Sequence, residues 1–138
     1  MYTIDYLSHT ADIRLQLRAD SREELFRAGF EAMNQIIRPD ACRKPCPCLI
    51  NQTIELNSVD NTTLLIDFLS DVLTLAHEHK AVFCELNFQE IGASHLRASI
   101  GGRPANGFEE DIKAVTYHEA NVHQNAEGQW ETFLIFDI

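Results

Sequence analysis

Three short segments carry side chains whose types and spacing suit chemistry. Ser8-His9-Thr10-Ala11-Asp12 leads into an alternating apolar–polar run, so Asp12 stands at the end of an expected strand, with His9 close by. The sequence closes on Phe136-Asp137-Ile138, directly after another strongly apolar run. That places the Asp137 carboxylate, the Ile138 carbonyl and the terminal α-carboxylate in one small volume. Should the first and last strands lie near each other, Asp12 joins this cluster. Donor sets made only of oxygen suit hard cations such as Ca²⁺, Mg²⁺ or Mn²⁺. Taken one at a time, acidic residues at strand ends are more often simply solvated.

The third segment is Ile112-Lys113-Ala114-Val115-Thr116-Tyr117-His118. In strand geometry Lys113, Val115 and Tyr117 share one face, and Thr116 and His118 share the other. Alone, Lys113 reads as a surface lysine and His118 as a partly buried histidine with a hydrogen-bond partner. A fourth group, Cys42, Cys46 and Cys48, lies in a tight Pro-bearing connector, with Cys84 in an expected strand and His77 and His79 at a helix end. Structural zinc sites pair one closely spaced ligand pair with a second one. That second pair is missing here, so the connector reads as a loop with reduced thiols. The sequence has no nucleophile elbow, P-loop, G-x-G-x-x-G or H-E-x-x-H motif.

These residues must be positioned by a small set of elements. Ile13 to Ala19 alternates with a period of two and predicts a strand. Ser21 and Glu24 are spaced as a capping box, opening a helix with Phe26, Gly29, Phe30, Met33 and Ile37 on one face. Gly29 on that stripe suggests close packing against a strand. Ile50 to Asn57 predicts a second strand, and Asp60 caps a second helix whose stripe is Leu65, Phe68, Leu69, Val72, Leu73 and Ala76. Asp67, Ser70, Asp71 and Glu78 are expected to face water. Beyond Lys80 the segments Ala81 to Glu90, Ser94 to Gly101, Ile112 to Val122 and Trp130 to Ile138 read as strands, with a looser loop from Gly101 to Gly107. The order β-α-β-α-β-β-β-β predicts one α+β domain over residues 1–138, with two helices on a largely antiparallel sheet.

Composition narrows the function. Eleven Lys+Arg against twenty-one Asp+Glu give a formal net charge of −10. A protein that grips phosphates unaided usually displays a basic stripe, because counterion release supplies most of the affinity. No such stripe is present, so a role in RNA metabolism would run through a protein partner, a metal, or both. An acidic surface suits docking on a basic enzyme. No apolar run approaches a membrane span, and the N-terminal residues carry no signal-peptide pattern, so the expectation is a cytoplasmic protein.

His9-Thr10-Ala11-Asp12-Ile13, Lys113-Ala114-Val115-Thr116-Tyr117-His118 and Ile135-Phe136-Asp137-Ile138 together resemble the archease family in order, spacing and expected layout. The resemblance covers essentially the whole chain. It implies an accessory protein of the RtcB-type tRNA-splicing ligase, which joins RNA ends bearing a 3′-phosphate or cyclic phosphate to a 5′-hydroxyl end. Such proteins promote guanylylation and multiple turnover of the ligase and are not ligases themselves; they are also described as chaperone-like. The resemblance further implies a divalent cation, with calcium first, held by Asp12, Asp137 and Ile138. It assigns the functionally needed lysine to Lys113, and gives His9 and His118 lesser roles at the same end. The cysteine connector lies outside the family motifs.

Two readings from other classes stand beside this one. A metal-dependent phosphoester hydrolase using Asp12, Asp137 and His118 would turn over substrate by itself with Mn²⁺ or Mg²⁺. A holdase-like chaperone would need an exposed apolar patch well above a few hundred Å².

The charge yields a first prediction. The isolated protein should bind a labelled tRNA half with a dissociation constant weaker than ~10⁻⁴ M at physiological salt. Fluorescence anisotropy checks this, and tight salt-sensitive binding would contradict it.

Overall fold

The structure is a computed structural model and describes residues 1–7, 12–43 and 47–138. His9 therefore lies outside the described residues, as does Cys46. In chain order the elements are β1 (Tyr2–Leu7), β2 (Asp12–Ala19), α1 (Arg22–Ile37), β3 (Ile50–Asn57), α2 (Asn61–His79), β4 (Ala81–Ile91), β5 (His95–Pro104), β6 (Ala114–Thr116), β7 (His123–Gln124) and β8 (Trp130–Asp137). The α+β class holds, with two helices against antiparallel strands.

The strands differ from the expected single sheet. Among the described residues they form a five-stranded sheet, ordered β1-β2-β8-β6 with β7 also on β8, and a separate three-stranded sheet, ordered β3-β5-β4. Period-two alternation tells which face of a strand is buried, not which strand it pairs with. β1 was not expected at all, although Tyr2, Ile4 and Tyr6 lie opposite Ala19, Leu17 and Leu15 on the apolar side of β2. The expected long strand from Ile112 to Val122 shrinks to β6. Its path breaks at Glu119, which has φ of 60°. Beyond that point side chains replace ladder bonds: the Asn121 amide donates to Thr132 Oγ1 at 2.9 Å, and the Val122 amide to Thr62 Oγ1 at 2.9 Å.

Both helices begin where the caps were expected. The Glu24 amide donates to Ser21 Oγ at 3.1 Å, and the Thr63 amide to Asp60 Oδ1 at 2.8 Å. The Glu24 carboxylate, however, takes the Met1 ammonium at 2.8 Å, so the second bond of the capping box is not made. α2 ends at Lys80 in the left-handed conformation, with its amide on the Ala76 carbonyl. The helices meet at Gly29, where an added Cβ would lie 3.1 Å from Leu69 Cδ1 and 3.6 Å from Leu17 Cδ1. The glycine thus admits α2 as well as the expected strand. Phe68 on α2 is fully buried, with ring centroids 6.2 Å from Phe26, 6.4 Å from Phe30 and 5.9 Å from Phe88, joining both helices to β4.

The cysteines overturn the expectation of reduced thiols. Cys42 and Cys84, whose Cα atoms lie 5.4 Å apart, form a disulfide. Cα separations near this value permit the bond, and the two positions are brought together only by the tertiary fold. Cys48 is a free, half-buried thiol, and burial pushes its pKa up. A disulfide sulfur is not a thiolate, so Cys42 in this state is no zinc ligand.

Gly101 and Gly102 were expected in a loose loop but lie inside β5. A Cβ on Gly102 would fall 2.7 Å from the Val82 carbonyl oxygen and 2.7 Å from the Phe83 ring. Gly102→Ala should therefore destabilise the protein by about 1–3 kcal/mol, the usual cost of overpacking a filled site. Urea unfolding checks this, and an unchanged midpoint would restore the loop reading.

Candidate metal centre at the strand ends

The site grows from the pairing of β2 with β8. Their antiparallel register runs from Asp12↔Asp137 to Ala19↔Trp130. Leu15, Leu17, Leu134 and Phe136 are buried on the inner face. The alternation then directs Asp12 and Asp137 to the outer face of the sheet. β6 adds itself to the other side of β8, with Ala114 opposite Asp137. One step outside β6, the Lys113 amide donates to the Asp137 carbonyl at 2.7 Å. Three of the expected positions, Asp12, Asp137 and Lys113, thus meet at one end of the five-stranded sheet.

Their exposures differ. Asp12 is half-buried, while Asp137 and Lys113 are exposed. Ile138 is half-buried with its side chain packed against the core, which anchors the chain end beside the two carboxylates. Directly opposed residues of an antiparallel pair hold their side chains about 5 Å apart, and like charges so placed are mutually destabilising. A hard cation relieves that repulsion, so the donor set fits one. Among the described residues, no group of three or more His, Cys, Asp or Glu side chains is arranged to hold a metal.

His118 differs from expectation in two respects. It is exposed rather than partly buried, and it lies beyond the end of β6 rather than within a strand. The next residue, Glu119, forms an ion pair with Arg14. Arg14 is two positions from Asp12 and so shares its outer face. This pair fastens the turn after β6 beside the strand end, and sequence reading missed it. The available signal was the shared parity of Asp12 and Arg14.

Tyr117 and Asp67 also depart from expectation. The Tyr117 hydroxyl donates to the Asp67 carboxylate, which also accepts from Ser58 Oγ at 3.0 Å. Asp67 thus anchors the segment after β6 to α2 instead of only facing water. The hydrogen bond to Asp67, helped by burial, holds the Tyr117 pKa above its ordinary value. On the opposite side, His77 Nε2 lies 3.1 Å from the Ile112 carbonyl oxygen, fixing the approach to Lys113.

Comparison with known proteins places this geometry in a family context. The model of the Archease protein family (MTH1598/TM1083) matches residues 5–138. The chain is 32% identical to Protein archease of Methanosarcina barkeri, over 97% of this chain and 94% of that protein. It is 28% identical to Protein archease of Pyrococcus furiosus, over 97% of each. Among solved structures, the solution structure of Methanobacterium thermoautotrophicum protein 1598 superposes with a TM-score of 0.73 at 22% identity, covering 98% of both chains. The crystal structure of an archease from Thermotoga maritima, named as a possible chaperone, gives 0.69 at 17% identity, covering 96% of this chain and 94% of the other. At these identities the two structures establish the shared fold.

The opposed carboxylates predict a change of sign. In chelator-treated protein, Asp137→Asn should raise stability by up to ~1 kcal/mol, because a like-charge cross-strand pair is removed. In saturating Ca²⁺ or Mn²⁺ the same substitution should lower it, since the parent gains binding free energy that the variant lacks. Thermal melts of both proteins in the two conditions check this. The same ranking in each would remove the cation from the site.

Proposed function

The chain belongs to the archease family, and from that premise we propose that it is a cytoplasmic, cation-binding accessory protein that activates an RtcB-type RNA ligase without catalysing a reaction of its own. The observation that carries this reading is the meeting of Asp12, Asp137 and Lys113 at one sheet end, with Ile138 anchored beside them. No helix of the described residues is long and apolar enough to cross a membrane, which is compatible with it.

Within the proposal, Asp12, Asp137 and the carboxylate of Ile138 hold a divalent cation, with calcium the first choice and Mg²⁺ or Mn²⁺ the others. Such an ion supplies positive charge and Lewis acidity for a phosphoryl centre. The protein's own residues do the rest. Lys113 is exposed and its main chain is pinned to Asp137, so the residue stands at the same strand end as the carboxylates. There it pairs with a phosphate or with a carboxylate of the ligase. Arg14 and Glu119 keep the neighbouring turn, and with it His118, alongside. The net charge of −10 favours encounter with a basic nucleotide site. Guanylylation of the ligase and its multiple turnover are the steps assisted.

A ligation assay with the partner enzyme tests the proposal. The parent protein should raise turnover, and Lys113→Ala should sharply reduce that stimulation. The substitution should shift folding stability by no more than about 0.5 kcal/mol, as exposed changes usually do. A variant that melts normally and stimulates as well as the parent would remove Lys113 from the mechanism. Phosphoester hydrolysis by the isolated protein with added Mn²⁺ would favour the hydrolase reading instead.

A further inference from the structure

A second feature lies away from the sheet end, between α1, the turn at residues 39–43 and β4. It is a cleft of about 310 Å³ whose wall includes both halves of the Cys42–Cys84 disulfide. Three of the eleven Lys+Arg residues of this acidic chain, Arg27, Arg38 and Arg43, line it. Glu31 is the sole carboxylate in its lining among the described residues. Phe30, Phe83 and Leu86 back the cleft but are themselves buried. The cleft is therefore locally cationic where the molecule as a whole is strongly anionic.

The arginines are placed differently. Arg27 is held from behind, with Nη1 donating to the Leu86 carbonyl at 2.8 Å and its guanidinium 5.6 Å from the Phe88 ring centroid. Arg38 is the exposed C-cap of α1. Arg43 pairs only loosely with Asp40 at 3.3 Å, with both side chains about four-fifths exposed. Guanidinium groups match phosphate oxygens in a fork geometry. The volume lies at the lower end of the range for small-molecule sites.

The turn that carries Arg43 is tied to the body by the disulfide and by Arg103 Nη1, which donates to the Ala41 carbonyl at 2.6 Å. The bridge joins residues separated by 42 positions, so breaking it frees the turn from β4. We propose that this cleft binds a small phosphate ester, and that the Cys42–Cys84 bridge keeps it formed, so that occupancy falls on reduction. The redox step is ordinary exchange with a dithiol reductant. One thiolate of the reductant attacks a protein sulfur and forms a mixed disulfide. Its second thiol then releases the other protein thiol, leaving the reductant as a disulfide and Cys42 and Cys84 as thiols, with two electrons and two protons gained. This site does not depend on the ligase reading.

The test is an amide-resolved NMR titration of the oxidised protein with adenosine monophosphate, and with adenosine and inorganic phosphate as separate arms. Adenosine monophosphate should shift signals from residues 27–43 and 83–86, inorganic phosphate should compete for the same residues, and adenosine alone should bind at least about tenfold more weakly. The Arg38→Ala/Arg43→Ala double variant should lose at least about tenfold in affinity. Treatment with excess dithiothreitol, or Cys42→Ser/Cys84→Ser, should lose as much while amide dispersion elsewhere is kept. Lys113→Ala should bind as the parent does. Absent or scattered shifts would overturn the site, and equal affinity after reduction would overturn the redox control. Adenosine binding as tightly as the nucleotide would overturn the phosphate assignment. If the cysteine variant does not fold, the reduced parent protein decides the matter.

Discussion

The register between β2 and β8 is the constraint on which the functional end of the molecule depends. The ladder spans all eight residues of β2 and pairs Asp12 with Asp137. A slip of one residue would turn Leu15, Leu17, Leu134 and Phe136 out to solvent and the charged set inward. Burial of each such apolar side chain stabilises by roughly 1.5–3 kcal/mol, while a like-charge cross-strand pair costs at most about 1 kcal/mol. The core therefore wins by a wide margin. Hydrophobic packing holds two carboxylates together that would otherwise separate, and a protein-built cation site requires that arrangement.

The charge distribution supports the same division of labour. With a net charge of −10, long-range attraction favours basic partners and disfavours free nucleic acid. Several of the eleven cationic residues are absorbed locally. Arg14 is paired with Glu119, Arg18 lies 3.5 Å from Glu131, and Arg27 is fixed over Phe88. Lys113 at the sheet end and Arg38 and Arg43 at the disulfide cleft remain exposed.

Much of this was legible in the sequence because it follows from local rules. The caps at Ser21 and Asp60, the helical stripes through Phe26 and Phe68, and the alternation of Ile13 to Ala19 depend on neighbours within a turn or two. The strand-end cluster was legible for another reason: the last and first strongly patterned strands needed only to be adjacent. What was not legible depends on distant partners. Alternation could not separate one sheet from two. Cys42 and Cys84 carry no local sign of pairing. Tyr117 to Val122 lies within the stretch expected as strand, yet the Asn121 and Val122 amides donate to the hydroxyls of Thr132 and Thr62 instead of to a ladder partner. Gly101-Gly102 looked like a loop because glycine is common there, whereas the close approach of β4 is what requires it.

One connection links the two ends of the molecule. After β5, the Ala105 amide donates to the Lys80 carbonyl at 2.8 Å, closing the end of α2. Four residues on, the Glu109 amide donates to the Ile37 carbonyl at 2.8 Å, closing the end of α1 beside Arg38. Phe108 then meets the His77 ring edge-on at 5.4 Å, Ile112 is fully buried, and the Lys113 amide reaches Asp137. The segment 105–113 has little regular structure but is pinned at both helix C-termini before it delivers Lys113. Helix ends leave carbonyls unsatisfied, and here a connector fills them where a cap residue might have served. The position of Lys113 is thereby set by α1 and α2 as much as by β6. Its backbone is held by a segment that also closes both helix ends, while its side chain is exposed.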